Sequence, residues 1–112
     1  MPCKCEEYNN VAVISPLGEL TGEEIEQLRR KVDEMIDVRQ IVDLVVDLEA
    51  CPFIDSEGLE TLLWARRRCE DLFGNMRLVG LDANIRKVLE MTRLEPRFDC
   101  RADLATALKT MR

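Results

Sequence analysis

The chain has 112 residues, the commonest size for one domain, with 46% hydrophobic residues and 34% charged residues. Acidic side chains outnumber basic ones 22 to 16, for a net charge of −6, which argues against nucleic acid as a partner because phosphate backbones need a positive face. There is no histidine, and so no Ser-His-Asp or Cys-His site, and neither a G-x-G-x-x-G nor a G-x-x-x-x-G-K-[ST] phosphate loop occurs among the five glycines; no cofactor is implied.

In chain order, Cys3–Glu7 reads as a first strand joined through a turn at Asn9-Asn10 to a β-rich run at Val11–Ser15. Pro16 ends that run. Thr21-Gly22-Glu23-Glu24 has the form of a capping box, and Ile25, Leu28, Val32 and Met35/Ile36 follow at helical spacing, so a helix is predicted over 22–36. Residues 41–48, "IVDLVVDL", are too apolar for a half-exposed edge and suit a central strand covered on both faces. Ser56 is the next N-cap candidate, with Leu59, Leu62, Leu63, Cys69 and Phe73 on the inner face of its helix and Gly74-Asn75 as the stop. Residues 76–80 form a strand. Asp82 caps a helix with Ile85, Val88 and Leu89 inside, residues 94–96 turn, 97–100 form a last short strand, and Leu104, Ala107, Leu108 and Met111 are spaced for a terminal helix.

Strands thus alternate with helices after an initial pair. That order predicts one α/β domain over 1–112, with a mostly parallel sheet of four to five strands, right-handed crossovers and about four α-helices. No stretch has the length and apolarity of a transmembrane helix and no secretory signal is visible, so the expected location is cytoplasmic. The cysteines are an odd set, Cys3, Cys5, Cys51, Cys69 and Cys100, and three of them lie in apolar contexts that fit small core residues in a reducing compartment. Cys3 and Cys5 lack a third ligand at suitable spacing, so no metal site is assigned.

Two residues in "CPFIDSEGLETLLWARRR" stand out. On a helical wheel Trp64 falls with Glu57, Glu60, Arg67 and Asp71, away from the apolar stripe. A tryptophan there is either a partner contact or is covered by a loop or the end of a neighbouring helix. The Arg66-Arg67-Arg68 cluster, flanked by Glu60, Glu70 and Asp71, reads as a solvated helix face. Ser56 is explained as a cap alone, but Asp55 before it is a carboxylate that a serine cap does not require, and Gly58 opens backbone access to the hydroxyl at a cost in helix stability.

The segment "VVDLEACPFIDSEGLETLLWARRR" resembles the core motif of STAS domains, the family of bacterial anti-sigma factor antagonists, in which an apolar strand and short loop lead to Asp-Ser-x-Gly-Leu at a helix start. "GELTGEEIEQLRRKVDEM" resembles the family's first helix with its Gly-x-Leu turn, and "MRLVGLDANIRKVLEMTRLEPRFD" its later strand, helix and turn. The resemblance covers nearly the whole chain. It implies a non-enzymatic partner switch: the unmodified protein binds a cognate anti-sigma factor that is also a GHKL-type serine kinase, thereby freeing the sigma factor; phosphorylation at Ser56 releases the complex, and a phosphatase resets it. Asp55, Ser56, Glu57, Gly58, Glu60, Trp64, Arg67 and Thr21 are then the expected partner-binding residues. Thr21 is a departure, because many antagonists of the family carry an aspartate at that place. Other members of the family act as scaffold or sensor modules or as accessory subunits of transporters, which gives the alternative of a docking subunit that is never phosphorylated. A third reading, an enzyme with Ser56 as nucleophile and Asp47 or Asp55 as base, has no histidine, lysine or oxyanion loop to support it.

Overall fold

The structure, a computed structural model, describes residues 3–111. Five strands, β1 (Lys4–Tyr8), β2 (Val11–Ser15), β3 (Asp43–Asp47), β4 (Met76–Val79) and β5 (Asp99–Arg101), form one sheet in the order β1-β2-β3-β4-β5. Only β1 runs antiparallel to its neighbour. Its hairpin closes through Asn9 and Asn10, with φ of 49° and 67°. Two successive left-handed residues make the type I′ turn that matches strand twist, and asparagine tolerates that region better than most residues.

The strand order advances one place with each crossover. Right-handed connections therefore stack helices α1 (Gly22–Asp33), α2 (Ser56–Asp71) and α3 (Ala83–Met91) on one face. Strand alternation matches this division. Ala12, Ile14, Leu44, Val46, Met76 and Leu78 join the main core with Leu28, Leu62 and Leu89 of those helices. Val11, Val13, Val45 and Val79 point the other way and are covered by α4 (Leu104–Lys109) through Ala107. This two-sided burial is why residues 41–48 show no polar alternation. Arg77 of β4, whose side chain is 11% exposed, fastens α4: it pairs with Asp99 at 3.1 Å and donates to the Ala107 carbonyl at 2.8 Å and to the Thr110 hydroxyl.

Two sequence expectations fail at the C-terminal ends of helices. The helix predicted over 22–36 stops being α-helical at Asp33 and continues as a π-turn, Glu34–Val38, which keeps Met35 and Ile36 buried. Phe73, expected on the inner face of α2, is 97% exposed. The helix has ended before it: Phe73 takes φ 63°, its amide donates to the Glu70 carbonyl at 3.0 Å, and the Gly74 amide donates to that of Cys69 at 2.8 Å. That pair of bonds is a Schellman stop with phenylalanine at the left-handed position. Gly74 is needed for proximity instead, because a Cβ there would overlap the Val42 carbonyl oxygen. Phe73→Gly should accordingly raise unfolding free energy by about 0.5–1 kcal/mol, since a side chain in the left-handed region costs roughly 1–2 kcal/mol and glycine returns part of that as chain entropy. Urea titration checks this; an unchanged or lower midpoint contradicts it.

All five cysteines are free. Burial pushes the Cys3 thiol up to about 11 and the Cys69 thiol up to about 12. In the unfolded chain both ionise near the ordinary value of about 8.5. Above that pH the unfolded state has lost protons that the folded state retains, so stability falls as pH rises from about 9 toward 11–12. The urea midpoint should be lower at pH 10 than at pH 8. Iodoacetamide should label Cys3 and Cys69 at pH 8 only in the unfolded chain; rapid labelling of both in native buffer would contradict their burial.

Candidate functional site

In the parallel units the chain leaves each strand and enters the following helix at the same edge of the sheet, which gathers the N-termini of α1, α2 and α3 there. The loops before α1 and α2 are tied to each other. Leu20 and Ile54 form an isolated parallel bridge, and the Leu20 amide donates to the Phe53 carbonyl at 2.9 Å. Both bridge residues and Cys51 are buried. The Cys51 amide bonds the Leu48 carbonyl at 3.0 Å, so the chain turns as soon as β3 ends. Ser56 is thus carried by a short loop that is hydrogen-bonded at both ends.

Ser56 is not the cap that the sequence suggested. Asp55 holds the N-cap position with extended backbone, and its carboxylate accepts from the Gly58 amide at 2.8 Å. This is the reason for a carboxylate ahead of the serine: aspartate is as good a cap as serine and also complements the positive helix end. Ser56 becomes the first residue of α2, exposed, and among the described residues its hydroxyl makes no hydrogen bond. Glu57 and Glu60 are exposed on the same turn. The two carboxylates considered as bases are engaged elsewhere, Asp55 with the Gly58 amide and Asp47 with the Glu49 amide at 3.0 Å.

Gly58 also has a different role from the one expected. It is buried, and a Cβ on it would stand 2.6 Å from the Leu20 carbonyl oxygen and 2.7 Å from Ile54 Cγ2. The glycine lets the first turn of α2 press onto the bridged segment, and that contact aims Ser56 outward. Thr61 was missed in the sequence. It is fully buried, and its hydroxyl donates to the Glu57 carbonyl at 2.9 Å, which reads in a sequence as one more polar residue on a charged helix.

Thr21 stands at the N-cap of α1, but the capping box does not form. Its side chain makes no capping bond, and the Glu24 amide bonds the Thr21 backbone carbonyl at 3.0 Å. Gly22 in the left-handed region (φ 49°) turns the chain into the helix. The Leu20–Ile54 bridge brings Thr21 to the mouth of α2.

The burial stripe of α2 runs through Gly58, Leu59, Thr61, Leu62, Ala65 and Cys69, rotated from the expected one. Trp64 lies beside it, partly buried, with Arg29 of α1 over its ring at 4.9 Å to the centroid and Arg68 at 5.9 Å. Arg29 from the neighbouring helix therefore covers part of the indole, which stays half-buried. The three arginines differ in role. Arg68 reaches Asp33 and, at 2.9 Å, Asp37, tying α2 to the end of α1; Arg66 pairs with Glu70 at 3.1 Å; Arg67 is exposed.

The family model for the STAS domain matches residues 3–107. The chain belongs to the STAS-domain family. An anti-sigma F factor antagonist from Lysinibacillus sphaericus is 31% identical over 84 residues, 75% of this chain and 72% of that protein. The anti-sigma factor antagonist SpoIIAA in its unphosphorylated form superposes with a TM-score of 0.80 at 25% identity, covering 96% of this chain and 93% of that one; the Bacillus SpoIIAA in its phosphorylated form gives 0.77 at 25%, covering 98% and 99%. A Thermotoga maritima chain shares the fold at 0.90 with 18% identity, over 98% and 94% of the two chains. Among the described residues of this STAS domain, no helix is long and apolar enough to cross a membrane.

The geometry separates support from exposure. Gly58→Ala should lower stability by up to about 2 kcal/mol, because the clash with a backbone carbonyl, of roughly 1–3 kcal/mol, is only partly offset by the helix-propensity gain of about 1. Asp55→Ala should cost about 1 kcal/mol, and Ser56→Ala less than about 0.5. Denaturant midpoints of the three variants test this ranking, and a Ser56→Ala loss as large as that of Asp55→Ala would restore the serine as the cap.

Proposed function

We propose that this STAS domain is an anti-sigma factor antagonist that acts by partner switching, with Ser56 as the phosphorylated residue. The observation that carries the reading is the exposed, unbonded hydroxyl at the first position of α2, with the capping duty held by Asp55. Attaching a phosphate there breaks no intramolecular hydrogen bond. The group adds about −1.5 to −2 charges. The helix dipole favours a negative group at this end by about 0.3–1 kcal/mol, and repulsion from Asp55, Glu57 and Glu60 offsets that gain, so the fold tolerates the modification. A partner seated on the same surface does not tolerate it, because an unmatched charge in an interface costs roughly 2–5 kcal/mol. That is a loss of about 30- to 4,000-fold in affinity, enough to exchange partners without refolding.

The lack of a hydrogen-bonded base at Ser56 suits a hydroxyl that receives a phosphoryl group from another protein and carries out no reaction of its own. In this reading the unmodified protein binds a GHKL-type anti-sigma factor kinase in the cytoplasm, a phosphatase reverses the mark, and Asp55, Glu57, Gly58, Glu60, Trp64, Arg67 and Thr21 belong to the bound surface. Thr21 leaves the mouth of α2 without the carboxylate that many antagonists carry there. Incubation with the cognate kinase and ATP should place phosphate on Ser56 and on no other residue. By calorimetry Ser56→Ala should bind that kinase like the unmodified protein, and Ser56→Glu should bind at least 30-fold more weakly. Equal affinity for all three proteins would sink the switch.

A further inference from the structure

We propose that the groove between α1 and α2 is a receptor for a carboxylate-bearing segment of the partner protein, with Arg29 and Arg67 as the anion-recognising residues and Trp64 as its floor. The inference rests on the partner-binding reading given above and names the chemistry of the partner at that surface.

The groove has two connected recesses along the helix pair. One, of about 360 Å³, is lined by Arg29, Glu60, Leu63, Trp64 and Arg67. The other, of about 590 Å³, begins at Arg29 and ends at Glu57, the residue after Ser56. Both share Arg29, so the surface runs from Trp64 to Glu57 at the mouth of α2.

The two arginines on Trp64 are in opposite situations. Arg68 is neutralised by Asp33 and Asp37, and hydrogen bonds to them hold its guanidinium above its ordinary pKa. Arg29 has the same aromatic contact, at a closer 4.9 Å, but no carboxylate pairs with it among the described residues. An aromatic face satisfies a guanidinium's π surface and leaves its in-plane N–H donors free. Held there, Arg29 is preorganised for a bidentate bond to a carboxylate. Arg67 stands on the same rim, exposed and without an ion pair among the described residues. In a chain of net charge −6, in which Arg30, Arg39, Arg66, Arg68, Arg77 and Arg101 all have acidic partners, Arg29 over the indole and Arg67 on the rim of the same recess, both without an ion pair among the described residues, make a localised demand for anions.

Discrete carboxylates fit this demand better than a polyphosphate. Glu57 and Glu60 line the same groove and repel a continuous line of negative charge, whereas a helix or loop with one or two acidic side chains can place them on the arginines and keep clear of the glutamates. Leu63 and the exposed part of Trp64 supply the apolar ground that an interaction centre needs beside its charges.

The chain has one tryptophan, so 5-fluorotryptophan labelling gives a single ¹⁹F resonance at the groove. Titrating the labelled protein with its cognate anti-sigma factor kinase should shift that resonance at saturation. Arg29→Glu and Arg67→Glu should each weaken binding by 10-fold or more and flatten its salt dependence, Arg67→Lys should keep most of the affinity, and Arg93→Glu, at the far end of α3, should match wild type. Circular dichroism confirms that each variant is folded. Binding that is lost in Ser56→Glu but unchanged in both arginine variants, or a ¹⁹F signal that does not move on binding, overturns the groove and leaves the switch standing. Wild type that fails to bind the kinase overturns both. A short single-stranded RNA that shifts the resonance as the kinase does overturns the assignment to protein carboxylates.

Discussion

The close approach of α2 to the segment before α1 is the constraint on which the site depends. Leu20 and Ile54 pair as a two-residue extension beyond the sheet, and Gly58 lies so near the Leu20 carbonyl that a methyl group would overlap it. This contact fixes three things together. It seats the first turn of α2, it brings Thr21 next to that turn, and it leaves Ser56 on the outer side because the inner side is filled. A glycine inside a helix is worth about 1 kcal/mol less than alanine, so its place in the first turn is explained by this packing and not by access to the hydroxyl.

Layer order and strand direction were readable because they are written in density and periodicity. "IVDLVVDL" has no polar alternation, which only a strand with both faces covered allows, and three further βα repeats follow from turn signals and spacing. Helix ends were less readable. The Thr21 capping box matched in residue type and failed in geometry, since Gly22 in the left-handed region sets a different entry into the helix. Phe73 fitted the apolar spacing of α2 but lies past a stop made by main-chain bonds, which no side-chain pattern records.

The candidate site divides in the same way. Its residues were legible as a motif, whereas their duties were not, because duty depends on contacts between segments distant in sequence. Asp55 and Ser56 are both good caps by type, and what decides between them is a one-residue choice of helix start. The rotation of the buried stripe of α2 toward Gly58, Thr61 and Ala65 comes from the contact with Leu20 and from α1, two elements that a wheel drawn for α2 alone leaves out. Arg68 looked like one of three solvated arginines because its partners, Asp33 and Asp37, lie on another helix.

The proposed switch requires a change at one surface atom to act without passing through the core. The apolar layers are closed: Leu28, Leu62 and Leu44 are inaccessible, and among the described residues no buried side-chain polar atom lacks a partner. A charge added at the mouth of α2 has no loose element below it to displace. What remains variable lies outside that closed interior, in the exposed hydroxyl, the acidic turn around it and the arginine-bearing groove that begins one residue away. On the proposed reading, a partner seated on this closed surface that meets an added negative group must either match the charge or leave.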